Sequence, residues 1–435
     1  MVWFTRPGLS IARSVANGRL ALRDDHVTCS SRNAKRFLNV SEFVGMTVLK
    51  NNGVPTPMNL LARCPAEAEV MTREILESTK AGEVVLKAQV LTGGRGKGKF
   101  VGTSISGVEL VKSPEGAMKT AADMLGNTLV TKQTGSQGVK CKEVLIAEKL
   151  TLVKERYISF MLDRKAGGIV AIATKYGGGN VEEVSEKDPS AVLTMIIDPI
   201  KGISDDAASK IAAHLDFSKG LFEEAKKIVQ GLYNTFVKID ALLLEINPIS
   251  ETVEQKLVAC DSKLIVDDNA EYRQKEIFAS APAPENAQEA RAAEAGLNYI
   301  ALGGNVACIV NGAGLAMATL DLLTHHGGTP ANFLDVGGNA TSAMLGQALD
   351  IVASDKNAKV LLVNIVGGIV HCDKFATSFV EATKRSMMKI PVVMRLQGTR
   401  ADAAKKILND AEIPHLFCQD FDSAAKSAVE IANAP

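Results

Sequence analysis

"VLTGGRGKGKFV", residues 90–101, decides how the first half of this chain is read. Gly93, four intervening residues, then Gly98 and Lys99 make up most of a P-loop, a pattern that needs Ser or Thr next to hold magnesium and a helix start facing the phosphates. Phe100 stands in that place, and "KFVGTSI" is β-prone with no cap and no helical period. The run "VVLKAQV" before it also reads as a strand, so the glycine run joins strand to strand. Such a glycine hairpin can still wrap phosphates with backbone N–H groups, because glycine allows close approach and unusual φ.

At 435 residues and 46% hydrophobic, the chain has room for two or three domains with buried cores. Lys plus Arg total 49 and Asp plus Glu total 49, so bulk charge attracts neither nucleic acid nor an acidic membrane. Seven cysteines are scattered with no C-x-x-C pair, which argues against a zinc knuckle or disulfide framework and fits a reducing compartment. Residues 1–36 differ: Arg6, Arg13, Arg19, Arg23, Arg32, Lys35 and Arg36 against only Asp24 and Asp25 give the makeup of an organellar transit peptide. Its apolar runs are too short for a secretory core or membrane span.

In "SEFVGMTVLKNNG", Ser41 predicts a helix cap, Phe43, Met46 and Leu49 recur at helical spacing, and Gly53 predicts the stop. Strands and helices then mix as an α+β pattern over 37–278. The Ala- and acid-rich stretch 279–296, with two prolines, reads as a linker. Over 297–435 the runs "VACIVN", "NFLDV", "AKVLLVNIV", "PVVMRLQ" and "PHLFCQ" each precede a helical segment, which predicts five βα units of a doubly wound parallel sheet. Ligands of such sheets bind at the carboxyl ends of the strands, and "NGAG", "VGGNAT" and "VGGIV" are small-residue turns there.

Candidate chemistry follows from placement. "DALLLEINPIS" puts Glu245 and Asn247 two apart, on one face of a strand ended by Pro248, and the strand "KLVACDSKL" can return Asp261 to that face. Carboxylate and amide oxygens at a strand end suit magnesium, although a solvated edge has the same composition. Lys87 interrupts a buried-looking strand and either snorkels or faces a phosphate. Glu148, Thr151 and Glu155 fall where a strand breaks into a loop, able to accept ribose hydroxyls or merely solvated.

These pieces, in this order, resemble the β subunit of succinyl-CoA synthetase (succinate–CoA ligase) of the mitochondrial type. The resemblance runs from "GVPTP" through "KAQVLTGGRGKG", "LLEINP", "DDNAEYRQK" and "NGAGLAM" to "ANFLDVGG", "VNIVGGIV" and "RLQGTR". It implies an ATP-grasp domain over 37–278 with the glycine hairpin as nucleotide lid, and a flavodoxin-like CoA-ligase domain over 297–435 that docks an α subunit. It implies phosphate contacts from Lys87 and the Gly94, Arg95, Gly96 segment, base and ribose contacts from Glu148, Thr151 and Glu155, and magnesium (Mg2+) on Asn247 and Asp261. Glu245 would sit beside the phosphoryl-accepting histidine, and Asn311 with Gly368, Ile369 and Val370 would meet the acid substrate at the α interface. Pro57 matches ATP-preferring relatives, where GTP-preferring ones tend to carry glutamine. "LGGN" at Gly303, "VGGNAT" with Asn339 and "NIVGG" with Val366 depart from the usual "LDGN", "VGGGAT" and "NIFGG" without removing an assigned position.

The implied activity is reversible ligation of succinate and CoA with ATP or GTP, in the tricarboxylic acid cycle of the mitochondrial matrix, by a heterodimer or dimer of heterodimers. Six histidines are present, none in a motif joining a base, a carboxylate and a phosphate grip, and in this family the phosphohistidine belongs to the α subunit. Alternatives are a malate-CoA ligase, a regulatory nucleotide-binding subunit and a nicotinamide oxidoreductase. The last lacks the G-x-G-x-x-G fingerprint.

Overall fold

A computed structural model describes residues 38–434 except 179–180, 281–285, 339, 369–370, 387–388 and 412. The expected transit segment 1–36, Asn339, Ile369 and Val370 lie outside the described residues. The chain divides into two compact units, Phe37–Pro282 and Ala283–Pro435. No helix among the described residues is long and apolar enough to cross a membrane.

The first unit runs β1 (Leu38–Asn39), α1 (Glu42–Asn51), β2 (Asn59–Ala62), α2 (Pro65–Thr79), β3 (Val84–Ala88), β4 (Lys99–Phe100), β5 (Val108–Val111), α3 (Pro114–Met124), β6 (Thr128–Val130), β7 (Val139–Lys140) and β8 (Val144–Glu148). It continues with β9 (Leu152–Asp163), β10 (Gly168–Thr174), α4 (Val181–Lys187), β11 (Val192–Ile197), α5 (Asp205–Leu215), α6 (Phe222–Lys238), β12 (Ala241–Thr252), β13 (Leu257–Ala259), β14 (Lys263–Val266) and α7 (Lys275–Ala279). Helix α1 starts as its sequence dictates: Ser41 Oγ accepts the Val44 N–H at 3.5 Å, Met46 and Leu49 face the core, and Gly53 takes a φ of 79° at the exit.

Three sheets build this unit. One has the order β2-β8-β3-β5, a small one β4-β6-β7, and a seven-stranded one β1-β14-β12-β9-β10-β11 with β13 added to β12. The large sheet packs against α6, whose Ala225, Ile228, Val229, Leu232 and Phe236 lie on one helical stripe in the same core as Phe160. Phe160 meets Tyr233 edge-on at 5.8 Å and Phe236 at 6.3 Å.

Several sequence expectations change in detail. The strands flanking the glycine run do not pair with each other: β3 pairs with β5 and β8, while β4 crosses to the separate sheet and pairs with β6. The stretch expected as one strand, "KLVACDSKL", is two, because the chain breaks at Cys260–Ser262 between β13 and β14. Glu155 lies on β9 opposite Ser250 and not in a loop.

The second unit runs α8 (Ala287–Glu294), β15 (Asn298–Ala301), β16 (Val306–Val310), α9 (Ala313–His325), β17 (Asn332–Asp335), α10 (Ser342–Ala353), β18 (Val360–Gly367), α11 (Cys372–Arg385), β19 (Val392–Gly398), α12 (Ala401–Asp410), β20 (Leu416–Phe417) and α13 (Phe421–Asn433). Its sheet order is β15-β17-β16-β18-β19-β20, and the five expected strands are parallel in the 2-1-3-4-5 order of doubly wound sheets. Two features were not legible: β15 closes the edge antiparallel to β17, and much of the stretch read as linker forms α8, capped by Asn286, with Ala292 in the core.

Phe160→Ala is expected to destabilise the first unit by about 3–5 kcal/mol, since it empties a fully buried aromatic site. Chemical denaturation of the full chain measures it, and a loss below about 1 kcal/mol contradicts the packing described here.

Candidate functional site

Four side chains meet where α1, β3, the glycine run and the β13–β14 break converge. Lys87 Nζ donates to Glu42 Oε1 at 2.6 Å and to the Cys260 carbonyl at 3.0 Å. Arg95 places Nη2 2.7 Å from Glu42 Oε2 and 3.6 Å from Asp261 Oδ2, and donates Nη1 to the Ala88 carbonyl at 3.0 Å. Lys87 therefore does not snorkel to solvent. Gly94, at φ 72°, turns the chain into a single 3-10 turn over Arg95–Lys97 and so swings Arg95 back under the loop. Gly107 donates to the Arg95 carbonyl at 3.0 Å, and a Cβ there would lie 2.8 Å from that oxygen.

Burial would by itself raise the Glu42 carboxyl, but Lys87 and Arg95 together hold it down at about 2. Asp261 is the reluctant anion: burial and then the Glu42 charge push it up to about 7 despite Lys87 and Arg95. Nothing in the sequence singles out Glu42. An acidic residue directly after a helix cap is ordinary, so only the fold reveals where this one points.

The two expected metal ligands lie on adjoining segments of the hairpin. Ile249 pairs with Ala259 on one side and Glu245 with Lys263 on the other, and Cys260 donates to the Pro248 carbonyl at 3.0 Å. Counted between these pairs, Asn247 and Asp261 fall at corresponding positions, although the chain leaves the sheet at Cys260–Ser262 and no ladder pair joins them. Asn247 Oδ1 accepts the Gly178 N–H at 2.8 Å, and Asp261 Oδ1 accepts the Ser262 N–H at 2.7 Å. One amide oxygen and one carboxylate, hard donors beside two cations suited to phosphate, fit magnesium, which commonly completes its shell with water and substrate phosphate. Among the described residues no group of three or more His, Cys, Asp or Glu forms an all-protein metal cage.

The remaining expected nucleotide residues split into two groups. Pro57 is buried beside Met58, whose backbone exchanges hydrogen bonds with Glu148: Met58 N–H to Glu148 Oε2 at 3.3 Å, and Glu148 N–H to the Met58 carbonyl at 2.8 Å. The Glu155 carbonyl accepts the Gly177 N–H at 3.1 Å, and a Cβ on Gly178 would strike Glu155 Oε2 at 1.9 Å, so the Glu155 side chain lies on the segment that reaches Asn247. Thr151 is exposed, and its carbonyl accepts the Val253 N–H at 3.1 Å. In the second unit, Asn311 exchanges two bonds with Val366, donating at 2.9 Å and accepting at 2.8 Å, which fixes the ends of β16 and β18 next to Gly368. Asp335 Oδ1 accepts from Gly312 at 2.6 Å and Gly337 at 2.8 Å, a shaping contact that sequence reading missed.

Burial raises the Glu245 carboxyl, and Lys263 across the register only partly offsets it. A carboxyl raised on folding contributes stability that is full below its ordinary 4.5 and lost as pH rises through the raised value. Ionised Glu245 therefore costs stability at neutral pH. Glu245→Gln is expected to raise the melting temperature at about pH 8 and to leave it unchanged at about pH 4. A lowered melting temperature at the higher pH contradicts the assignment.

Comparisons with known proteins identify the family. A family model for the ATP-grasp domain matches residues 39–251, and one for CoA-ligase matches residues 309–429. The chain is 43% identical over 399 residues to the mitochondrial ADP-forming succinate–CoA ligase subunit beta of Dictyostelium discoideum, covering 92% of this chain and 89% of that protein. It is 44% identical over 396 residues to the ADP-forming subunit of Oryza sativa, covering 91% and 93%. It is 41% identical over 411 residues to the GDP-forming subunit of Bos taurus, covering 94% of each. Among solved structures, ATP citrate lyase from Methanothrix soehngenii shares the fold with a TM-score of 0.71 at 18% identity, over 91% of this chain and 100% of that one. An ATP-grasp domain followed by a CoA-ligase domain, matched along nearly the whole length of such subunits, means that this chain belongs to the family of succinate–CoA ligase β subunits.

Proposed function

We propose that this chain is the nucleotide-binding subunit of a mitochondrial succinate–CoA ligase, which works with an α subunit to join succinate and CoA reversibly at the expense of a nucleoside triphosphate. The observation that carries the reading is the pairing of Lys87 and Arg95 on Glu42 beside Asp261, with Arg95 Nη2 3.6 Å from Asp261 Oδ2 and Lys87 bonded to the adjoining Cys260 carbonyl. Two cations for phosphate oxygens and two hard oxygen donors for magnesium are what phosphoryl transfer requires of a protein, whose part is positioning and charge neutralisation.

In this reading Lys87 and Arg95, with the Gly94 and Gly96 backbone, grip the triphosphate. Pro57, Glu148, Thr151 and Glu155 line the base and ribose. Asn247 and Asp261 hold magnesium, which when bound offsets charge on the phosphates. Glu245, half-buried on the Asn247 face, sits beside the α-subunit histidine that accepts the phosphoryl group. Passing phosphate onward to succinate replaces a poor leaving group, carboxylate oxygen, with a good one before the thiol attacks. Asn311 and the Gly368–Val370 turn meet the acid at the α interface. Three of the six histidines are engaged elsewhere: His326 with Asp422 at 2.7 Å, and His214 and His415 with backbone carbonyls. Residues 1–36 serve as the matrix-targeting segment.

Relatives carrying both ADP-forming and GDP-forming names leave the nucleotide to be chosen on Pro57, which favours ATP. Direct competition between ATP and GTP in the reconstituted complex is expected to favour ATP, and a clear GTP preference overturns the assignment of Pro57. With the α subunit, Asp261→Ala is expected to lower turnover roughly 100-fold, the order for a lost preorganised charge at phosphoryl transfer, with the circular dichroism spectrum unchanged. Near-normal turnover rules out Asp261 as a metal ligand. Label from γ-labelled ATP is expected on the α chain and not on this one, and acid-labile, base-stable label on this chain alone refutes the division of labour.

A further inference from the structure

We infer that Glu42 is the positioning residue of the phosphate grip: one buried carboxylate sets the spacing and the aim of Lys87 and Arg95. This rests on the reading of those two cations as phosphate ligands.

Depth is the first argument. The Glu42 side chain is 3% exposed, against 16% for Lys87 and 13% for Arg95, so the carboxylate stands behind both cations as seen from solvent. Its two oxygens are divided between them, Oε1 to Lys87 at 2.6 Å and Oε2 to Arg95 at 2.7 Å. A single rigid group therefore fixes the distance between a strand residue and a loop residue. An ammonium has three hydrogens. On Lys87 two are taken by Glu42 and the Cys260 carbonyl, which leaves the third for an incoming acceptor.

The carboxylate is itself immobile. It sits in the first turn of α1, where the helix dipole favours an anion, and the next residue donates its N–H to Gln89 Oε1 at 3.0 Å, tying the helix start to the exit of β3. Gly45, one turn on, packs so closely that a Cβ would lie 2.3 Å from Ser262 Oγ, the neighbour of Asp261. Helix, strand and metal-side turn are thus locked around Glu42.

A site selected only for affinity would not keep a carboxylate close to a triphosphate. Its negative charge opposes ground-state attraction, so what it supplies is orientation, which acts on turnover more than on binding. This separates it from an ordinary structural ion pair, whose loss would reduce the amount of folded protein and leave each folded site normal.

The test uses the complex with the α subunit and follows α phosphorylation by magnesium–nucleotide, normalised to the titre of bound nucleotide. Glu42→Asp keeps the charge but, one methylene shorter, reaches only one cation. It is expected to lower kcat about 10-fold to 100-fold while KM for the nucleotide moves less than about threefold. Lys87→Gln should instead raise KM, and adding Glu42→Asp to it should cost less than Glu42→Asp costs alone, because part of the effect of Glu42 runs through Lys87 and the rest through Arg95. Glu42→Gln gives the same fall in kcat with an unchanged or lower KM, and should it fail to fold, the Asp variant decides alone. Normal kcat per folded site in Glu42→Asp, or losses that simply multiply with Lys87→Gln, overturn the inference. Absence of nucleotide-dependent phosphorylation in the wild-type complex would instead overturn the functional reading beneath it.

Discussion

The contact among Glu42, Lys87, Arg95 and Asp261 is the constraint on which the first unit turns. Buried ions are tolerated only in complete sets, because removing one partner leaves another charge without solvent or counter-ion. Here the set draws on four places in the chain: the start of α1, the middle of β3, the glycine run and the break between β13 and β14. None of these segments can move far without exposing a charge. The same requirement that holds the elements together also gathers the groups to which the proposed function assigns magnesium and triphosphate. Asp261 is the member whose carboxyl burial and the Glu42 charge push up.

The second unit solves a different problem. Its parallel sheet ends in turns too small to carry reactive side chains, and its polar contacts serve shape: Asp335 gathers Gly312 and Gly337, and Asn311 ties β16 to β18. Inside, Asn364 donates to Thr319 at 3.0 Å and accepts from Arg395 at 2.7 Å, a buried polar link between α9, β18 and β19. Small turns of this kind offer a surface and few side chains for chemistry of their own.

Much of this was legible in sequence because it rests on local rules. Ser41 and Gly53 mark α1, Phe100 rejects the P-loop, and the five βα repeats declare a parallel sheet. The pairing of Ile249 with Ala259 and of Glu245 with Lys263 was legible as a hairpin, because both strands are apolar and joined by a short turn. What escaped depends on distant partners. Glu42 looks like a routine first-turn acid until the fold brings Lys87 and Arg95 to it, and β4 leaves β3 for β6 because of a pairing that no neighbouring residue encodes. The alanine-rich stretch after Pro282 composes as a linker, yet Asn286 caps a helix there and Ala292 is buried. Asp261 falls in a strand pattern that the chain interrupts, and that interruption frees its carboxylate from the sheet.

The claim at the centre is that nucleotide and metal meet at this charge cluster. A crystal structure of the complex with the α subunit, soaked with manganese and a non-hydrolysable ATP analogue and phased on the manganese anomalous signal, locates both at once. The expected result is a manganese peak within coordinating distance, roughly 2.0–2.4 Å, of Asn247 Oδ1 and an Asp261 oxygen, bridged to phosphates that touch Lys87 and Arg95. A nucleotide seated elsewhere, or manganese held without Asn247 and Asp261, would contradict it.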